Sequence, residues 1–130
     1  MASIFSRIVA GEIPCHKIAE NDQYFAFLDV FPCAVGHVLV IPKKEIDYIF
    51  DLEDDHYLGL MAFAKQIEPA IRKAIPCKRV GVAVIGLEVP HAHVHLIPMN
   101  SMNDMNFNHK LKPSQEELAE TAAKIRSFLN

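Results

Sequence analysis

The sequence predicts an α+β domain of five short strands, one long helix between the third and fourth, and a second helix at the C-terminal end. Three observations carry this. Apolar, β-branched or aromatic runs bounded by turn residues fall at 16–19, 23–29, 36–41, 79–85 and 91–97. Apolar residues recur at helical spacing from Tyr57 to Ile75. Ser114-Gln115-Glu116-Glu117 forms a capping box ahead of Leu118, Ala122, Ile125 and Leu129.

Ile4-Phe5 and Ile8-Val9 are spaced for a short helix that Gly11 and Pro14 bring to an end. Strands 16–19 and 23–29 flank the turn residues Glu20-Asn21-Asp22 and read as a hairpin. In the second, alternation puts Phe25, Phe27 and Asp29 on one face, so Asp29 either caps the turn before Pro32 or presents a carboxylate at the end of an aromatic stripe. The third strand stops at Pro42 and shows His37 on the face of Leu39 and Ile41. Asp51 is the expected N-cap of the long helix, with Glu53 and Asp54 in its first turn. Its core side carries Tyr57, Leu60, Met61, Ala64, Ile67, Ile71 and Ile75, and Pro69 should kink it.

The fifth strand is the chemical centre of the chain. Between Pro90 and Pro98, three of the seven histidines occupy alternate positions: His91, His93 and His95. Strand geometry places these imidazoles on one face and Ala92, Val94 and Leu96 on the other. Such a row suits either of two chemistries. Imidazoles ligate metals, but no Asp, Glu or Cys is interleaved to complete a zinc set. Alternatively, a neutral imidazole attacks phosphorus while its neighbours bind phosphate oxygens and handle protons. Crowded imidazoles suppress one another's protonation, which favours the neutral nucleophile.

The 130 residues suffice for one domain with a core and a pocket. A formal net charge of −3, with both signs mixed along the chain, argues against a nucleic-acid or membrane-attracted surface and for a small ligand. No apolar run approaches the roughly 18 residues of a membrane span. Met1 to Arg7 lacks a signal-peptide stretch, and Cys15, Cys33 and Cys77 are odd in number and widely spaced, as expected of reduced thiols in a cytoplasmic protein.

His91-Ala92-His93-Val94-His95-Leu96-Ile97 fits His-φ-His-φ-His-φ-φ, with φ apolar, at every position, and here the sequence resembles the histidine triad (HIT) family, in its bacterial Hint-like branch. The similarity covers residues 3–98. Ile4 to Pro14 is similar to the family's N-terminal signature, Ala26-Phe27-Leu28-Asp29-Val30 to its ribose-contacting strand, Pro32 to Lys44 to its Gly-His-φ-φ-φ-Ile-Pro-Lys segment, and Gly86 to Pro90 to its lead-in. The resemblance implies a HIT-like fold: an antiparallel five-stranded sheet with one long helix and a C-terminal helix, in a single domain over 1–130 that pairs as a homodimer. It also implies a purine mononucleotide or dinucleotide substrate cleaved at the α-phosphate, such as a nucleoside phosphoramidate or dinucleoside polyphosphate. His93 would form the nucleotidyl-histidine intermediate, His91 and His95 would contact phosphate oxygens and assist proton transfer, and His37 would orient the triad. Ile4, Phe5, Ile8, Phe27 and Val30 would hold the base and Asp29 the ribose. The alternative is a nucleotide-binding module with little or no catalytic activity.

The chain departs from the family pattern in four places. Gly86-Leu87-Glu88 lacks the usual Gln and Ser donors, the Asn-bearing loop before it is shortened, and Met99 stands where many relatives have Arg. Ser3, Ser6 and Glu45 occupy positions that are Cys, Cys and His in zinc-binding members, so neither a metal nor any other cofactor is expected. A phosphate still needs donors, and Asn100, Ser101 and Asn103 are the nearest polar side chains beyond Pro98. The segment Met99 to His109 is therefore expected either to fold over an active site, its own or a partner's, or merely to connect the last strand to the C-terminal helix.

Overall fold

A computed structural model describes residues 2–129. In chain order the elements are α1 (Ile4–Val9), β1 (Lys17–Glu20), β2 (Tyr24–Leu28), β3 (Val38–Pro42), α2 (Asp54–Ala74), β4 (Arg79–Ala83), β5 (Val94–Met99) and α3 (Gln115–Arg126). The strands form one antiparallel sheet in the order β1-β2-β3-β5-β4.

Both faces of the sheet are covered, which explains why β2 and β3 are buried along their whole length. The even positions of β2, Tyr24, Ala26 and Leu28, join Val38, Val40, Val94 and Leu96 against Leu60, Ala64, Ile67 and Ile71 of α2 and Leu118, Ala122 and Ile125 of α3. The odd positions, Phe25 and Phe27, join Leu39 and Ile41 beneath Phe5 and Ile8 of α1. Period-2 alternation thus feeds two cores, and the smaller one floors the functional face. Pairing of Leu39 with His95 and of Phe27 with Leu39 carries the aromatic stripe across to the histidines.

Two local expectations change. Asp51 is not the N-cap of α2: Ile49–Asp51 form a separate 3₁₀ turn that buries Ile49, and Glu53 is the N-cap, with Asp54 and Asp55 in the first turn of the helix. Pro69 lies inside α2, which continues past it to Ala74. Finally, β5 begins at Val94, so only His95 of the three alternating histidines lies in the ladder. The Ala92 N–H bonds to the Ile46 carbonyl instead (2.7 Å), drawing this approach away from strand pairing. The capping box of α3 forms as expected, with reciprocal Ser114–Glu117 bonds of 2.9 and 3.1 Å.

Candidate active site

The histidines lie under α1. Ser3 is the N-cap of that helix, its hydroxyl accepting from the Ser6 N–H (3.0 Å) and lying 2.8 Å from His91 Nδ1. His91 Nε2 is 2.7 Å from the Pro42 carbonyl, which can only accept, so Nε2 carries the proton and the Ser3 hydroxyl donates to Nδ1. Both ring nitrogens of the fully buried His91 are thereby committed to protein. The expectation that His91 contacts a phosphate oxygen does not fit this geometry, and burial lowers its pKa.

His93 Nδ1 lies 2.7 Å from the His91 carbonyl and must donate to it. The lone pair of the neutral ring is then on Nε2, which has no protein partner among the described residues. Phe5 meets this ring edge-on at a centroid distance of 5.0 Å. The neighbouring relay has a single polarity. The Cys33 N–H donates to His37 Nδ1 (3.0 Å), so His37 Nε2–H donates to His95 Nδ1 (2.9 Å) and leaves the His95 proton on Nε2. Burial, reinforced by the neighbouring charged groups, holds His37 down to about 3 and His95 down to about 4, so both are neutral at pH 7. Gly36 makes the turn into His37 at φ 90°, a backbone conformation that side chains rarely adopt, and a Cβ there would meet Ile75.

A cavity of about 320 Å³ opens beside these rings. Its lining includes every residue expected from sequence to hold a nucleoside (Ile4, Phe5, Ile8, Phe27, Asp29 and Val30) together with His93 and His95, whereas His37 and His91 stand behind it. Asp29 caps its turn and also lines the cavity. Oδ1 caps the turn by accepting from the Phe31 N–H (2.9 Å), while Oδ2 is 3.7 Å from His37 Nε2 and the side chain lines the cavity. Burial pushes its carboxyl up, partly offset by that N–H. A second cavity of about 230 Å³ lies across His93, between Tyr48, Phe50 and Val84-Ile85.

Residues 10–102 match the family model described as a HIT domain. The chain belongs to the HIT family. It is 36% identical over 103 residues to an adenosine 5′-monophosphoramidase of Schizosaccharomyces pombe, covering 75% of this chain and 74% of that one. A HIT-like protein of Borreliella burgdorferi is 30% identical over 131 residues, 94% of each chain. Among solved HIT structures, a Hit-like protein from Bartonella henselae superposes with a TM-score of 0.84 at 30% identity, covering 96% of this chain and 94% of that one. A zinc-bound histidine triad protein from Mycobacterium smegmatis gives 0.84 at 26% identity, covering 98% and 92%.

The donor set around His91 does not suit a zinc ion in this HIT protein. The Ser3 N–H and the Ser6 hydroxyl both donate to Glu45 Oε1 (2.6 Å each), so two hydroxyls and a carboxylate form a hydrogen-bonded network in place of thiolates and imidazole. These two bonds hold Glu45 down at about 2. Among the described residues, one group has donor atoms spaced for a metal: Asp29, His37 and His95, all within 4.8 Å of one another. A cation there would have to break the His37–His95 hydrogen bond in the field of nearby Lys110.

Two further residues of the site were not found from sequence. Phe107 lies edge-on to His95 at 4.9 Å and to His37 at 6.4 Å, and Lys110 lines the cavity. The segment after β5 thus folds over its own chain's site, but not with the polar residues expected. Asn100 Oδ1 accepts from the Lys78 N–H, and the N–H groups of Asn100 and Ser101 bond Asp104 around a 3₁₀ turn at Met102–Met105. The only advance signal was an isolated aromatic and a lysine in an Asn- and Met-rich stretch.

Proposed function

We propose that this HIT protein hydrolyses or transfers purine nucleotides at the α-phosphate, acting on nucleoside phosphoramidates or dinucleoside polyphosphates. One observation carries the reading: a single cavity is lined by an apolar floor, a carboxylate and an imidazole whose Nε2 is free and whose other nitrogen is fixed on a carbonyl. The base lies against Phe5 and Phe27, and Asp29 Oδ2 accepts from the ribose hydroxyls. His93 Nε2 attacks phosphorus, and His95 Nε2–H donates to a phosphate oxygen. His91 acts through its carbonyl, which keeps the proton on His93 Nδ1 and steadies the charge that the ring acquires when Nε2 is phosphorylated. The phosphoramidase activity named for the yeast relative accords with this chemistry.

A binding module with little turnover is the second reading, favoured by Leu87, which stands 89% exposed in place of a polar donor. Titration with a non-hydrolysable AMP analogue, followed by turnover assays on adenosine and guanosine phosphoramidates and dinucleoside polyphosphates, separates the two. Binding with turnover of at least one class is expected. Binding without turnover of any leaves the module.

Asp29→Asn is expected to weaken AMP binding by about 1–2 kcal/mol and binding of the 2′,3′-dideoxy analogue much less, as measured calorimetrically. Equal losses would confine Asp29 to its turn. We also propose a homodimer paired through β4, an open edge of the sheet where Val82 is exposed, as are Val84 and Ile85 just beyond the strand. Val82→Lys should shift sedimentation from dimer towards monomer, and an unchanged dimer would place the interface elsewhere.

A further inference from the structure

The chemistry proposed for this site moves negative charge, and the three histidines packed around His93 offer no full positive charge to meet it. In the first step the His93 Nε2 lone pair forms a bond to phosphorus. The bond from phosphorus to the leaving atom breaks, its electron pair departing with the leaving group, which takes up a proton from solvent. In the second step water attacks phosphorus, the P–Nε2 bond breaks with its pair returning to the ring, and a nucleoside monophosphate is released with a proton. Negative charge lies on the phosphoryl oxygens in both steps and builds on the departing atom in the first, and preorganised positive groups aimed at them stabilise such transition states most.

Lys110 is the one ammonium among the residues lining the cavity, where it joins Asp29, His93 and His95. Its place is fixed from both sides. Three residues earlier Phe107 packs on the His95 ring at 4.9 Å, and one residue later the Leu111 N–H donates to the Pro32 carbonyl at 2.8 Å. Among the described residues the ammonium has one ion-pair partner, and a loose one: Glu88 Oε2 at 4.0 Å, on a side chain that is 81% exposed. An ion pair so exposed is weak and readily gives way to a phosphate. The other donors expected of this segment, Asn100, Ser101 and Asn103, are not among the residues that line the cavity.

We propose that Lys110 is a catalytic residue, its ammonium contacting the phosphate oxygens of the bound nucleotide and stabilising the charge that develops there. In this role Lys110 transfers no proton and forms no covalent bond. The proposal rests on the nucleotidyl-transfer reading of the site.

The test compares wild type, Lys110→Met and Lys110→Arg, measuring turnover of an adenosine phosphoramidate and calorimetric AMP affinity. Lys110→Met keeps the length of the side chain and removes the charge; it is expected to lower kcat/KM about a hundredfold. The loss should fall more on kcat than on AMP affinity, and Lys110→Arg should recover activity to within about tenfold of wild type. Lys110→Met within threefold of wild type would overturn the proposal, as would Met and Arg variants impaired alike, because then shape and not charge matters. Wild-type protein that binds AMP but turns over no phosphoramidate or dinucleotide would instead overturn the reading of the site, and Lys110 with it.

Discussion

His93→Ala is expected to lower turnover on the order of ten-thousandfold or more while leaving AMP affinity within about tenfold. The two halves of this expectation come from different parts of the cavity. The only free ring nitrogen in position to form a bond to phosphorus without losing its proton is His93 Nε2; His91 has both nitrogens bonded, and the Nε2 of His95 carries its proton as long as His37 donates to Nδ1. In the proposed reading binding rests instead on Phe5, Phe27 and Asp29, which line the cavity and which the substitution leaves in place. Among the described residues the side chain makes one hydrogen bond, to the His91 carbonyl, and its ring packs against Phe5 and His95. Appreciable turnover by the variant would remove the covalent mechanism.

Acidification is expected to destabilise the protein well before its carboxylates titrate. His37 and His95 are neutral in the native state down to about 3 and about 4, while in the unfolded chain each titrates near 6.5. Between about pH 6.5 and 4 the unfolded chain therefore binds protons that the folded one refuses. Stability is full above that window and falls as pH drops through it, by about 1.4 kcal/mol per pH unit for each histidine. The pKa of Asp29 is raised by burial and shifts stability in the opposite sense, but one group does not reverse two. Urea unfolding at pH 7 and pH 5 checks this. A markedly lower midpoint is expected at pH 5, and His37→Gln should flatten the dependence. Equal midpoints at the two pH values would mean that the relay is not held neutral.

What could be read in advance was whatever alternation or spacing encodes. The shared face of Phe25 and Phe27 follows from period 2, whereas of the alternating histidines only His95 lies in the ladder. The cavity-lining set from Ile4 to Val30 was accessible because short motifs, spread over the first thirty residues, converge there. Asp51 misled because a good capping residue sat at the end of a separate turn, and nothing local distinguishes it from Glu53. His91 misled for another reason: its partners Ser3 and Pro42 are 88 and 49 residues away, so its commitment to protein is a tertiary fact. Phe107 and Lys110 belong to a segment with no period, held by the contacts of Phe107 with His95 and His37 and by a backbone hydrogen bond to a distant loop. Such placement leaves almost no trace in local sequence.

The central claim is that phosphoryl transfer passes through His93, and the stereochemical course at phosphorus tests it most directly. A nucleoside phosphoramidate made chiral at the α-phosphorus with sulfur can be hydrolysed in isotopically labelled water and the configuration of the product determined. Two successive in-line displacements, by His93 Nε2 and then by water, each invert the phosphorus centre, so net retention is expected. Net inversion would mean a single direct attack by water and would contradict a nucleotidyl-histidine intermediate.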